Sequence, residues 1–571
     1  MAAPSTTLFD QFARGWRGYV LIGVIALVAA LFGAQQAPVI DAAESRFVLV
    51  TRAMLETGGA PGGASAAPVR AVQEAAVRAL SPKRFTEIWP YRFPSALGLI
   101  LAATACLWAG KALLKPRPAF LGAAMFAAGI YVAFMGMLAT ADALLLGFTT
   151  LAMAALAQLR RTDIALTQAR LSALMFWFAL VCAISIAALL PTLTAGLTLA
   201  TLFVWERRAA WMRPLLWWPG IIVAAAVAVM SFASGVIHTG NDLRFDAAHM
   251  TPPGYFLVLL PLLLFPATYA LPAALRLSID AIRAPPSEPL PYRFLLAWSA
   301  PLFLLCEFWP TKSLNNVLPA FPAIALMCGA GLTAMRGRAW RTTHPAGLVL
   351  LAVVGVVITV FIAGAATFMP GDIDADIRRA VSAVLIGVLL VGGAIAGLVY
   401  WPRATARGAV LVACALALSY SLREHILPDA RALNVSDEVT DALTRTRLTP
   451  NDTRALWVVG YDEASIVFLT RRPVNLATAA QAGTQAKLGD ALVIETRELD
   501  ATRNALLARD MDFTPAEEEP VRGLALDSAK YVALYVGSVT SAAAADVPPQ
   551  NPAGRSRSRS PARRSAQTPS Q

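Results

Sequence analysis

Apolar runs, each roughly 20 residues long and so able to cross a bilayer core of about 30 Å, recur from residue 18 to residue 420. Their edges predict about thirteen membrane spans, near residues 18–37, 94–114, 119–138, 141–158, 171–190, 192–206, 215–235, 254–276, 292–309, 315–335, 346–368, 378–401 and 406–420. Only Pro191 and its neighbours separate the fifth from the sixth. Arg14 and Arg17 precede the first run, as in a signal peptide, but no convincing small-x-small cleavage site lies near Ala34–Ala37, so the run reads as a retained helix.

Between the first two spans the pattern changes. "ESRFVLVTRAMLE" (44–56) sets Phe47, Val50, Thr51, Met54 and Leu55 at helical spacing with charges off that stripe, which predicts a helix lying in the membrane interface. "GGAPGGASAAP" (58–68) reads as a hinge, and "VRAVQEAAVRAL" (69–80) returns to helix. After Tyr420, strand-like stretches at 454–461, 490–499 and 530–538 alternate with helical ones, which predicts a small α/β domain without a glycine-rich phosphate loop. The expected organisation is a membrane domain over 1–420 with an interfacial loop at 38–93, an extracytoplasmic α/β domain over 421–540, and a disordered Arg/Ser/Pro-rich tail over 541–571.

Composition agrees: 57% of the 571 residues are hydrophobic and 15% charged, well below a soluble chain's share. The net charge of +12 reports topology rather than nucleic acid binding. With the N-terminus in the cytoplasm, the inner loops at 110–118, 159–170, 205–214, 276–293, 335–341 and 401–408 are all basic. An odd span count then puts the C-terminal domain outside, in the periplasm of a cell with an inner membrane. All five cysteines fall in apolar runs, and the four histidines are scattered without ligand spacing, so no protein metal site is expected from them.

The outer face collects the candidate chemistry. Asp41 and Glu44 stand at the start of the interfacial helix, one helical turn apart, and Asp142 stands at the outer end of the fourth span. A carboxylate at that depth marks either function or a helix N-cap. Lys312 breaks the positive-inside pattern at an outer boundary, where it either snorkels or holds an anionic head group. Together these groups suit chemistry on a lipid-linked phosphate.

Several segments, in order, resemble the polyprenyl-phosphate sugar transferases of the aminoarabinose transferase and protein O-mannosyltransferase type, the GT-C glycosyltransferases. They are "IDAAESRFVLVTRAMLETG" (40–58), "IWPYRFPSALG" (88–98), "TADALLL" (140–146), "PPGYFLVLLPLLLFP" (252–266), "PTKSLNNVLPAFPAIAL" (310–326) and "GYDEASIVFL" (460–469). The resemblance covers nearly all of 15–540. It implies a GT-C fold with an outward cavity and a polyprenyl-phosphate-linked sugar donor. The acceptor would be an outer-leaflet lipid, glycan or protein, as in lipid A modification. Glu44, Asp142 and Asp41 would be the catalytic carboxylates, and Arg46, Arg92, Lys312 and Asn315 would bind lipid phosphate or substrate. No cofactor is implied, although the carboxylates leave room for a divalent cation.

The chain also departs from that pattern. Ala43 stands where the family's first catalytic Asp is expected, one position before Glu44. Met137 and Thr140 replace common basic residues before the second acid, and Asn315–Asn316 replaces a common His-Tyr pair. Two further readings therefore stand beside the transferase: a catalytically degenerate relative that binds lipid or serves in assembly, and a transporter, which the lack of an inverted repeat disfavours.

Overall fold

The computed structural model describes residues 13, 15–35, 37–39, 42–57, 67–81, 85, 87–161, 163–206, 210–233, 251–285, 291–334, 337–367, 373–401, 403–428, 433–525 and 530–542. The hinge over 58–66 and the tail from 543 lie outside these residues, as does Asp41. The chain divides into two compact units, the larger formed by residues up to Thr440 with Glu463–Arg471 and Arg522–Val532, the smaller by Asp441–Asp462, Arg472–Val521 and Ala533 onward.

The larger unit is helical. Its helices are α1 Trp16–Leu31, α2 Ala42–Thr57, α3 Ala67–Leu80, α4 Trp89–Leu113, α5 Pro116–Ala127, α6 Ile130–Met137, α7 Asp142–Leu159, α8 Leu166–Ile186 and α9 Leu189–Glu206. They continue as α10 Trp218–Ala233, α11 Tyr255–Leu263, α12 Leu271–Arg283, α13 Pro291–Phe308, α14 Phe321–Ala334, α15 Gly337–Thr367, α16 Ile373–Tyr400 and α17 Ala404–Ser421. By length and apolarity, seven helices among the described residues can cross a membrane, or ten if each of three bent pairs is one span. The prediction of about thirteen counted apolar runs, but several runs are not straight helices. The run at 119–138 bends by 54° between α5 and α6, and the run at 254–276 bends by 114° between α11 and the segment Ala267–Arg283. A bend frees backbone groups that lipid cannot satisfy. These two bends satisfy each other, because the Ile130 N–H at one donates to the Phe265 carbonyl at the other (3.0 Å).

Small residues let the central helices approach closely. A Cβ on Gly98 of α4 would lie 2.4 Å from the backbone of Ala143 and Leu144 in α7. Those atoms cannot rotate away. Gly98→Ala is therefore expected to push α4 from α7, costing about 1–3 kcal/mol and lowering the thermal midpoint of the purified protein by fluorescence. This contact sets the start of α7 against the start of α4, where Ser95 Oγ donates to the Thr140 carbonyl (3.0 Å).

The helices α2 and α3 are pinned by polar contacts. The Arg70 guanidinium lies 4.0 Å over the Phe47 ring and donates to its carbonyl (2.8 Å), and Gln73 Nε2 donates to the Tyr91 carbonyl (2.8 Å). Desolvation lowers the Arg70 pKa to about 10, so it stays charged at neutral pH.

From the end of the larger unit, α18 (Val435–Arg445) leads into the sheet of the smaller one. The strands are β1 Leu456–Val459, β2 Val474–Ala477, β3 Ala491–Glu495, β4 Met511–Pro515, β5 Val521–Ala525 and β6 Lys530–Ser541, with helices α19 Ala464–Leu469, α20 Ala479–Gln485 and α21 Leu499–Leu507 between them; of these, α19, β5 from Arg522 and the start of β6 up to Val532 belong to the larger unit. The order is β2-β1-β3-β6-β4: β1 is parallel to β2 and β3, and β6 is antiparallel to β3 and β4. Trp457, Leu492, Ile494, Leu506, Phe513 and Val539 form its core. The three predicted strands appear here as β1, β3 and β6. The short β2, β4 and β5 carry too little alternation to stand out.

Candidate active site

Asp142 is the first residue of α7 and is 8% exposed. The free N–H groups and dipole at a helix start favour a carboxylate there. Asp142 Oδ2 accepts from Thr140 Oγ1 (3.1 Å) and from Asn315 Nδ2 (3.1 Å). Asn315 lies in the 3-10 segment Leu314–Ala320, which leads into α14, and its Oδ1 accepts from the Tyr131 hydroxyl of α6. Phenol, amide and carboxylate thus form one line across α6, the segment before α14, and α7. Two predicted site residues, Asp142 and Asn315, are in direct contact although 173 positions apart.

Tyr131 also lines a cavity of about 270 Å³. Its walls are almost wholly apolar, with Phe134, Leu263, Ile358 and Leu418 among them. The polar exceptions beside Tyr131 are Arg423, which donates to the carbonyls of Ala29, Ala30 and Phe32 at the end of α1, and Ser419, whose buried hydroxyl has no partner among the described residues. A carboxylate relay therefore reaches the wall of an apolar chamber within the membrane unit.

Lys312 sits three residues before Asn315 in the same connection. Its ammonium donates to the carbonyls of Thr251 and Trp309 (3.0 Å each), which fixes two of three donors. Residue 251 is held there by its N–H, which donates to the Pro310 carbonyl (3.0 Å). Sequence reading missed Glu307, five residues before Lys312 at the end of α13. Its two oxygens accept from the Gly254 and Leu257 N–H groups at the start of α11 (2.7 and 2.9 Å), so it caps that helix. A lone carboxylate ending the apolar run "FLLCEFWP" (303–310) was the available signal.

Glu44 and Arg92 occupy a different position from the expected one. Both side chains are fully buried and form a two-point ion pair, Nε to Oε1 at 2.9 Å and the second guanidinium nitrogen to Oε2 at 3.0 Å. Glu44 Oε1 also accepts from the Ala139 N–H (2.7 Å). Arg92 gives its remaining donors to the carbonyls of Ala34, Ala37 and Pro38. All five guanidinium N–H groups are then committed, which corrects the expectation that Arg92 meets a lipid phosphate. Glu44 likewise grips the turn before Asp142 through Ala139 instead of presenting a carboxylate beside Ala43. Arg46 lies exposed on α2. Among the described residues, no group of three or more His, Cys, Asp or Glu side chains converges as a metal site would need.

The fold has solved counterparts. The structure of ArnT from Cupriavidus metallidurans bound to undecaprenyl phosphate superposes with a TM-score of 0.68 over 91% of this chain and 98% of its own, at 16% identity. The same protein in the apo state gives a TM-score of 0.70 over 93% and 99%, also at 16% identity. The chain has a GT-C fold. No family model matches the sequence, and no curated protein matches it. At this identity the likeness carries the architecture, and the GT-C bundle of this chain must be read from its own side chains.

Proposed function

We propose that this GT-C chain is a membrane glycosyltransferase that moves a sugar from a polyprenyl-phosphate donor to an outer-leaflet lipid, glycan or protein acceptor. The observation that carries this reading is the Tyr131–Asn315–Asp142 line, which ties a buried carboxylate to the wall of an apolar chamber. An amphiphilic donor needs that combination: apolar walls for the isoprenoid and polar groups for its reacting head. The bound undecaprenyl phosphate of the ArnT structure makes this lipid the first to test.

In the proposed step the acceptor oxygen attacks the anomeric carbon, and the bond from that carbon to the phosphate oxygen breaks. Asp142 takes the proton when the acceptor is a hydroxyl and orients the acceptor when it is a phosphate. Asn315 holds the carboxylate in place. Lys312 stabilises the departing polyprenyl phosphate through its third donor. Glu44 acts through position, holding the 138–142 turn with Arg92. The protein would work in an inner membrane with its N-terminus in the cytoplasm and its α/β unit in the periplasm, as the basic loops indicate.

The replacement of the expected acid by Ala43, together with the mutual neutralisation of Glu44 and Arg92, favours one second reading: a lipid-binding relative without turnover. Reconstituting the purified chain with labelled polyprenyl-phosphate sugars and the three acceptor classes separates the two. Release of polyprenyl phosphate with sugar on an acceptor, lost in Asp142→Asn, is the expected result. Saturable binding of undecaprenyl phosphate with no release from any donor would establish the second reading. An arm with chelator, then added Mg²⁺ or Mn²⁺, tests for a divalent cation.

A further inference from the structure

A second cavity, of about 500 Å³, lies at the other end of the bundle. The α7 helix starts at Asp142 and ends at Leu159, and the adjoining Arg160 pairs with Glu206 at the end of α9. The beginning of α8 and the turn after α9 therefore share the face opposite Asp142. The cavity is built from those two elements. Arg170 and Leu174 come from the first turns of α8, while Arg213, Leu216 and Trp217 come from the 3-10 turn Ala210–Leu216 and its junction with α10.

The site is held in shape from beneath. Trp177 Nε1 donates to the Leu215 carbonyl (3.2 Å), tying the turn to α8. The Trp177 ring packs against Gly220 so closely that a Cβ there would lie 2.5 Å from it. Neither Arg170 nor Arg213 has a hydrogen-bond or ion-pair partner among the described residues, yet both line one concavity. Beside them Leu174, Leu216 and Trp217 are 45%, 74% and 44% exposed. Two cations at the ends of membrane spans, bordered by apolar side chains facing outward, match a molecule with a phosphate head and acyl chains. The tryptophan belongs to the class that sits at the headgroup level.

We infer that this pocket binds an anionic phospholipid of the leaflet opposite the candidate active site, its phosphate between Arg170 and Arg213 and an acyl chain along Leu174, Leu216 and Trp217. This inference does not depend on the proposed transfer reaction. It concerns a separate lipid on the opposite face.

Native mass spectrometry of the full-length protein, titrated with dioleoylphosphatidylglycerol and with dioleoylphosphatidylcholine, reads the occupancy directly. The wild type should retain the anionic lipid in preference to the zwitterionic one. Each of Arg170→Gln and Arg213→Gln should weaken retention about fivefold, and the double variant roughly 25-fold. Arg170→Lys with Arg213→Lys should recover most of the preference while reporting on folding. Arg276→Gln, an exposed arginine of α12 outside the pocket, should leave retention unchanged. Equal weakening in Arg276→Gln, or no weakening in the double variant, would overturn the site in favour of diffuse surface charge. Competition by inorganic phosphate at the same concentration as the lipid would overturn the lipid as occupant.

Discussion

Arg92→Met is expected to destabilise the membrane unit by about 3–5 kcal/mol, the usual cost of leaving one member of a buried ion pair alone. Arg92 is fully buried, so no water replaces its bonds. Its loss leaves the Glu44 carboxylate, among the described residues, with the Ala139 N–H as its hydrogen-bond donor and removes the donors held by the carbonyls of Ala34, Ala37 and Pro38. Glu44→Gln should cost less, because the same three carbonyls still surround the guanidinium and partly offset its charge. The double change Glu44→Leu with Arg92→Met should recover part of the loss, since an apolar pair avoids the desolvation of both charges. Thermal unfolding of the full-length protein, followed by intrinsic fluorescence, measures all three. An unchanged midpoint in Glu44→Gln combined with abolished turnover would return Glu44 to the chemistry and sink the positioning role.

Asp142→Asn is expected to lower turnover by about 10²–10⁴-fold with a hydroxyl acceptor, the range for removing a general base. Affinity for undecaprenyl phosphate should change by only a few-fold, because the apolar chamber and Lys312 are untouched. The substitution keeps the shape of the side chain and the helix start, so the fold should survive. The relay predicts a graded series behind it. Asn315→Ala removes the donor at 3.1 Å from Asp142 Oδ2 and should have the larger effect. Tyr131→Phe removes one hydroxyl from Asn315 and should cost about 1 kcal/mol, or roughly a fivefold loss in rate. Steady-state rates across a donor titration separate the terms. A fall in donor binding equal to the fall in rate for Asp142→Asn would place the residue in binding instead of proton transfer.

The likeness between sequence reading and structure is uneven, and the reason is the range of each interaction. The start of α7 at Asp142 was legible because an acid directly before an apolar run is a local signal. The helices α2 and α3 were legible from helical spacing, and three strands of the sheet from short apolar stretches. The pair Glu44–Arg92 joins residues 48 positions apart, and nothing in the spacing of either segment announces the partner. Glu44 looked like a stand-in for the acid missing at Ala43 because adjacency in sequence suggested adjacency in role. The side chain instead pairs with the fully buried Arg92 guanidinium. The shape of the spans was hidden for a related reason: hydropathy sees a continuous apolar run, while the bends near 129 and 266 meet through a backbone hydrogen bond from Ile130 to Phe265.

Sequence alone determined that this is a many-spanning helical membrane protein with a small α/β unit, and that Asp142 starts an apolar helix. These properties are sums over local composition and period, so they survive without knowledge of contacts. Tertiary structure alone decided which acid is buried in an ion pair and which meets Asn315, Tyr131 and an apolar chamber. A carboxylate's role follows from the donors within about 3 Å of its oxygens, and here the deciding ones, Arg92 for Glu44 and Asn315 for Asp142, lie 48 and 173 positions away.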